Sequence, residues 1–181
     1  MSAVSGMLVL VVGPSGAGKD TLLEAARRAL ADDPRFRFVR RVITRPAAAG
    51  GEAHEAVTET EFAARDFALR WQAHGLCYGI PAGAITDGIV AVVNVSRQVI
   101  ADAARRFPVR VIEITASPQT LAARLASRGR EAAEDVAARL ARNVAMPDHV
   151  PVDTVVNDGT LADGVACFVA ALNRAASGVR G

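Results

Sequence analysis

Lysine is almost missing from this chain: of 21 basic residues, twenty are arginine and one, Lys19, is lysine. Aromatic residues make up only 4%, so a core must be built mainly from Ala, Val, Leu and Ile. The two cysteines, Cys77 and Cys167, lie ninety residues apart, which excludes a metal-ligand spacing and a disulfide framework. They are read as reduced thiols of a cytoplasmic protein. His54, His74 and His149 are scattered, which argues against zinc. No stretch approaches the roughly 18 apolar residues of a membrane span, so no membrane partner is expected. A net charge of +2 is too small to argue for nucleic acid. The Asn-Lys-x-Asp and Asp-x-x-Gly signatures of switch GTPases are absent as well.

What is present is a packed, alternating pattern. A length of 181 residues with 51% hydrophobic and 22% charged residues suits one domain with a small insertion. The apolar run Met7–Val12 is too short for a signal peptide and reads as a buried strand. A helix is expected over Lys19–Ala31, and a half-exposed strand over Phe36–Ile43, where apolar and basic residues alternate. Thr58 and Glu61 form a capping box for a short helix through Asp66. Two short strands flank His74-Gly75, and Pro81 opens a short helix ending near Gly88. Further strands are expected at Ile89–Val93, Val109–Thr115 and Val152–Val156. Helices are expected from Ser96 to Arg106, Ser117 to Arg128, Glu131 to Val144 and Leu161 to Ala175. Strands alternating with helices predict an α/β fold, a parallel sheet covered on both faces. Residues 35–85 break the rhythm and read as a lobe inserted over the carboxyl ends of the core strands, where such folds bind ligands. The core then comprises residues 1–34 and 86–181.

The single lysine ends a glycine-rich loop, Gly13-Pro14-Ser15-Gly16-Ala17-Gly18-Lys19-Asp20-Thr21. Its G-x-x-x-x-G-K spacing, between a strand and a helix, is that of a phosphate cradle. Glycines let the main chain approach, N–H groups converge on phosphate, and the helix adds its positive end. Lys19 would reach the β- and γ-phosphates of ATP. Asp20 stands where Ser or Thr normally holds Mg²⁺. A carboxylate is also a hard ligand; alternatively, Asp20 caps the helix and Thr21 contacts phosphate. Asn94 ends an apolar run of Walker B shape with an amide in place of a carboxylate. The amide can hydrogen-bond a water or an acceptor hydroxyl, so Asn94 is expected to contact the substrate, but it cannot supply charge; if Asp20 carries the charge on the Mg²⁺ side, the two departures compensate each other.

Arginines form the second constellation. Arg124, Arg128 and Arg130, with Arg139 and Arg142 beyond, read as a lid over about 124–142. It would bring guanidinium groups to a transferring phosphoryl group. The other reading is a solvated helical face paired with Glu131, Glu134 and Asp135. Arg41 and Arg45 in the inserted lobe can hold the phosphate of a second substrate, with His74 and Tyr78 adding hydrogen bonds. Singly, His74 reads as structural.

Gly13–Thr21, Thr44-Arg45-Pro46, Tyr78-Gly79, Arg124 through Arg130 and Asn157-Asp158 occur in the order of guanylate kinases, which the chain resembles over nearly its whole length. That resemblance implies a P-loop nucleoside monophosphate kinase fold with core, acceptor lobe and lid, and places Asn157 near the adenine of ATP. Guanylate kinases also carry a second Arg where Ala48 stands, a Glu where Arg70 precedes Trp71, and a Ser at Arg41. The base-reading set is therefore lost, while the phosphate-reading Arg45 is kept. The departures themselves are similar to the ribose 1,5-bisphosphate phosphokinase family of phosphonate degradation, whose members make 5-phosphoribosyl 1-diphosphate. They are Lys19-Asp20, Ile43-Thr44-Arg45, Gly51-Glu52 with His54, Trp71 through Gly79, Asn94-x-Ser96-Arg97, and Arg128-Gly129-Arg130-Glu131. This resemblance implies ATP and Mg²⁺ as cofactors and a small phosphorylated sugar as substrate. Arg41 and Arg97 then suit an acceptor with two phosphates and no base. The alternatives are a guanylate kinase-like nucleoside monophosphate kinase and a non-catalytic guanylate kinase-like binding domain. The oligomeric state is left open.

Overall fold

Strand β1, Met7–Val12, explains the architecture, because both of its faces are buried. Leu8, Leu10 and Val12 face one hydrophobic cluster, and Val9 and Val11 face another. A continuous apolar run has this meaning in a parallel sheet covered on both sides. The computed structural model describes residues 6–14, 16–46, 48, 53–128 and 145–179, the side chains of residues 125, 127 and 128 excepted. The helix expected from Glu131 to Val144 lies outside the described residues.

The remaining elements are α1 (Lys19–Ala29), β2 (Phe36–Phe38), β3 (Val42–Ile43), β4 (Glu55–Ala56), α2 (Glu59–Ala63), β5 (Phe67–Ala73) and β6 (Leu76–Pro81). They continue with β7 (Val90–Asn94), α3 (Ile100–Arg106), β8 (Val109–Thr115), α4 (Pro118–Arg128), β9 (Val152–Val156) and α5 (Leu161–Ser177). Single turns of 3₁₀ helix occupy Ala82–Ala84, where a longer helix was expected, and Arg97–Val99, ahead of α3. Among the described residues, five strands form a parallel sheet in the order β2-β7-β1-β8-β9. Helices α1 and α5 cover one face, where Leu22, Ala26, Phe168 and Leu172 pack on Val9, Val11 and Ile112. Helix α3 covers the other face through Ile100 and Ala103, joined by lobe residues Leu69, Trp71, Tyr78 and Ile80.

The lobe is a second sheet in the order β4-β3-β6-β5. Its hairpin turns at His74-Gly75, with φ of 53° and 72°. Both central residues being left-handed is the two-residue turn that matches strand twist. Thr58 and Glu61 complete the expected capping box at α2. The expected strand Phe36–Ile43 is in fact two. Phe36–Phe38 pairs with β7 in the core sheet, whereas Val42–Ile43 pairs with β4 and β6 in the lobe. The chain crosses between sheets at 39–41, and an alternating pattern looks the same in either sheet. Arg106 Nη1 donates to the Ala68 carbonyl at 2.7 Å, and Gln98 Nε2 to the Gln72 carbonyl at 3.0 Å, fastening lobe to core.

Candidate active site

The carboxyl ends of β1, β7 and β8 open into a cavity of about 470 Å³, roofed by the lobe. The loop after β1 forms its floor. A side chain at Gly13 would collide with the Ile114 carbonyl oxygen, so only glycine lets the loop turn there. Gly18 has φ of +83°, and a Cβ there would lie 2.6 Å from Asn157 Nδ2. Gly18 is also the N-cap of α1 and leaves the first turn with no side-chain cap. Its N–H groups therefore stay available to an anion. Lys19 Nζ lies 3.4 Å from the Gly13 carbonyl, folded over the loop.

Gly13, Pro14, Gly16, Gly18, Lys19, Asp20 and Thr21 line the cavity, and Ala17 is buried beneath it. Ser15 lies outside the described residues. Asp20 is no helix cap, because that place belongs to Gly18. Asp20 Oδ1 instead accepts from Asn94 Nδ2 at 3.3 Å, and Asn94 is buried at the end of β7. Among the described residues no group of three or more His, Cys, Asp or Glu gathers in a way that could hold a metal ion.

On the lobe side, Arg41, Arg45, His74 and Tyr78 all reach the same cavity. The Arg41 guanidinium lies 5.3 Å above the Tyr78 ring, which stacks on Trp71 at 5.4 Å and 8°. A planar cation on an aromatic stack is held in orientation. Arg45 is placed by its neighbour: Thr44 Oγ1 accepts from the Cys77 N–H at 2.9 Å, pinning the end of β3 to β6. A ring nitrogen of His54 meets the Arg45 carbonyl at 3.0 Å. Arg70 is exposed, on the strand face opposite Trp71.

Arg97 lines the cavity but is ion-paired with Glu113, at the end of β8. The sequence reading missed Glu113, as it missed Trp71 and Thr115 in the same wall. One signal was available: Glu113 is an acid in an otherwise apolar strand end, Val111-Ile112-Glu113-Ile114.

Arg124 and Asn157 lie against the main chain of the phosphate loop. Arg124 donates from Nη1 to the Gly16 carbonyl and from Nη2 to the Asn157 carbonyl, both at 2.8 Å. Asn157 is buried and donates from Nδ2 to the Ala17 carbonyl at 2.8 Å. Neither residue is among those lining the cavity. Together they brace the phosphate loop from behind the cavity lining. Next to this brace, Asp158 Oδ1 accepts from the Ser117 N–H at 2.7 Å, which holds its carboxyl below the ordinary carboxylate range. The Arg128 side chain, Arg130 and Arg139 lie outside the described residues.

A glycine-rich phosphate loop opening a helix on the central strand, with a lobe above it that lends arginines to the cavity, defines a P-loop kinase. The guanylate kinase of Anaplasma phagocytophilum shares the fold, with a TM-score of 0.61, 20% identity, and coverage of 96% of this chain and 87% of that one. No family model matches the sequence. The ribose 1,5-bisphosphate phosphokinase PhnN of Acidiphilium cryptum is 54% identical over 174 residues, 94% of each chain. A bifunctional ribose 1,5-bisphosphokinase-thymidine phosphorylase of Cupriavidus pinatubonensis is 49% identical over 182 residues, where the match spans 96% of this chain but 30% of that protein. The chain belongs to the ribose 1,5-bisphosphate phosphokinase family.

Proposed function

We infer that this chain transfers the γ-phosphoryl group of ATP to the 1-phosphate of ribose 1,5-bisphosphate, giving 5-phosphoribosyl 1-diphosphate and ADP. The observation that carries the reading is 54% identity over nearly all of both chains to a relative named as a ribose 1,5-bisphosphate phosphokinase. The site agrees in chemistry. The lobe keeps cationic residues for phosphate, Arg41 and Arg45, whereas the position that precedes Trp71 carries an exposed arginine turned away from the cavity. A base needs matched hydrogen-bond partners, and a site without them does not select it.

In the transfer, a 1-phosphate oxygen attacks Pγ, the Pγ–O bond to the β-phosphate breaks, and the electron pair leaves on ADP. The attacking oxygen already carries negative charge at neutral pH, so no general base is required. The chain's work is positioning and charge neutralisation. The loop N–H groups and Lys19 hold the donor phosphates, while Arg41 and Arg45 hold the acceptor opposite. Arg128, Arg130 and Arg139 are proposed to complete the clamp from the lid.

The residues present fit Mg²⁺, which keeps several waters and takes one or two carboxylates together with substrate phosphate oxygens. Asp20 supplies the carboxylate, held by Asn94, and the Thr21 hydroxyl lines the same cavity. When bound, the ion neutralises charge on the phosphates. This role for Asn94 differs from the acceptor contact expected of it. No helix among the described residues is long and apolar enough to cross a membrane. Dependence on ATP and the free thiols of Cys77 and Cys167 support a cytoplasmic place, and phosphonate breakdown is the proposed pathway.

The test is an acceptor screen with ATP and Mg²⁺. Turnover of ribose 1,5-bisphosphate with kcat/KM far above that for GMP is expected. Preference for GMP would overturn the assignment.

A further inference from the structure

Resting on that proposed activity, we propose that the Arg97–Glu113 pair reads a ring hydroxyl of the pentose, so that it selects the sugar and does not bind its phosphates. Arg97 reaches the cavity from the turn after β7, and Glu113 from the end of β8. Each is about a quarter exposed, and the two are in direct hydrogen-bonded contact. A phosphate arriving beside this pair meets one positive and one negative charge at similar distance, and the two Coulomb terms largely cancel. The pair is therefore a poor phosphate clamp.

A hydroxyl has the complementary chemistry. It donates one proton and accepts at its oxygen. Glu113 can accept the hydroxyl's hydrogen bond while an Arg97 N–H donates to its oxygen. Among the described residues, two acids line the cavity, Asp20 and Glu113. Asp20 is on the donor loop and held by Asn94. Glu113 is the one facing the lobe side, where a carboxylate would only repel a doubly phosphorylated acceptor unless it accepted a hydrogen bond from it. Strand alternation gives Glu113 the same face of the sheet as Val111, which packs in the lobe-side cluster, and its register sets it opposite Val12. The site thus offers cationic positions for the two phosphate ends and one donor–acceptor pair for the neutral ring between them. Sites built around a hydrogen bond to a substrate hydroxyl reject the analogue lacking it.

The experiment compares kcat/KM for ribose 1,5-bisphosphate, its 2-deoxy analogue and its 3-deoxy analogue in the parent protein, Glu113→Gln, Glu113→Ala and Arg97→Ala. The parent should prefer the ribose compound over one deoxy analogue by at least about tenfold. In Glu113→Ala that ratio should fall to within about twofold, through loss on the ribose compound, with KM for ATP unchanged. Glu113→Gln keeps the side-chain volume and should give an intermediate ratio; it serves as the readout if the alanine variant does not fold. Arg97→Ala should also compress the ratio. A parent ratio near one, or a ratio that survives in the Glu113 variants, overturns the proposal. So does an Arg97→Ala protein whose KM rises equally for all three acceptors, the behaviour of a phosphate clamp. A parent protein that does not turn over ribose 1,5-bisphosphate at all overturns the proposed activity, and this reading with it.

Discussion

Replacing Asn157 by alanine separates a loop brace from a nucleobase contact. The amide is buried, donates to the Ala17 carbonyl at 2.8 Å, and is packed so closely against Gly18 and Gly164 that a Cβ on either would collide with it. Its loss removes one hydrogen bond and leaves the Ala17 carbonyl without that donor in a buried setting, for a combined cost of about 2–3 kcal/mol. For a domain of this size that corresponds to a fall in Tm of roughly 4–12 °C. Ala17 and Gly18 belong to the phosphate loop, so the loosened loop should bind ATP less tightly, with KM for ATP raised and KM for the acceptor unchanged. Urea unfolding and steady-state kinetics on the same preparation read both effects. Near-parent stability together with a changed preference between ATP and GTP would refute the reasoning, because that is the behaviour of a residue touching the base.

Lys19→Ala should lower kcat by roughly 10²–10³-fold with an unchanged melting curve, since it removes a charge aimed at the transferring group; near-normal turnover would contradict the donor site. Asn94→Ala, which frees the Asp20 carboxylate, should raise the Mg²⁺ concentration for half-maximal rate by about tenfold, as loss of an orienting partner does. A parallel Mn²⁺ binding titration should show the same displacement without turnover. Asp158 has a depressed carboxyl pKa because of the Ser117 N–H, so its stabilisation is present above its unfolded value and lost as pH falls below it. Asp158→Asn should therefore lower stability at neutral pH and flatten the acid side of the profile below about pH 4, where the two proteins converge; an unchanged neutral stability and acid limb would count against the tether.

The parts of the fold legible in the sequence are those whose signal is local. Met7–Val12, Val109–Thr115, Val152–Val156 and Pro118–Arg128 occur where periodicity and caps put them, because buried parallel strands are continuous apolar runs and helices carry their own start signals. Phe36–Ile43 was misread because the alternation continues while the chain changes sheets, and nothing local marks Val39–Arg41 as a crossing. The same limit applies to the site. The loop Gly13–Thr21 is contiguous and readable as a motif, but the partners of its residues are not. That Arg97 meets Glu113, that Arg124 meets main-chain carbonyls, and that Asp20 meets Asn94 across 74 residues are outcomes of tertiary placement. Residue type alone could not separate these arginines: in the fold Arg41 stacks on Tyr78, Arg97 is ion-paired with Glu113, and Arg124 donates to main-chain carbonyls.

The central claim is that the acceptor atom is an oxygen of the sugar 1-phosphate. Phosphorus-31 NMR of a reaction containing the protein, ATP, Mg²⁺ and ribose 1,5-bisphosphate tests it directly. The claim predicts that the 1-phosphate singlet is replaced by a coupled pair from a new P–O–P linkage, while the 5-phosphate signal is unchanged. A retained 1-phosphate singlet, or a new coupled pair that forms only when GMP is supplied, would contradict it.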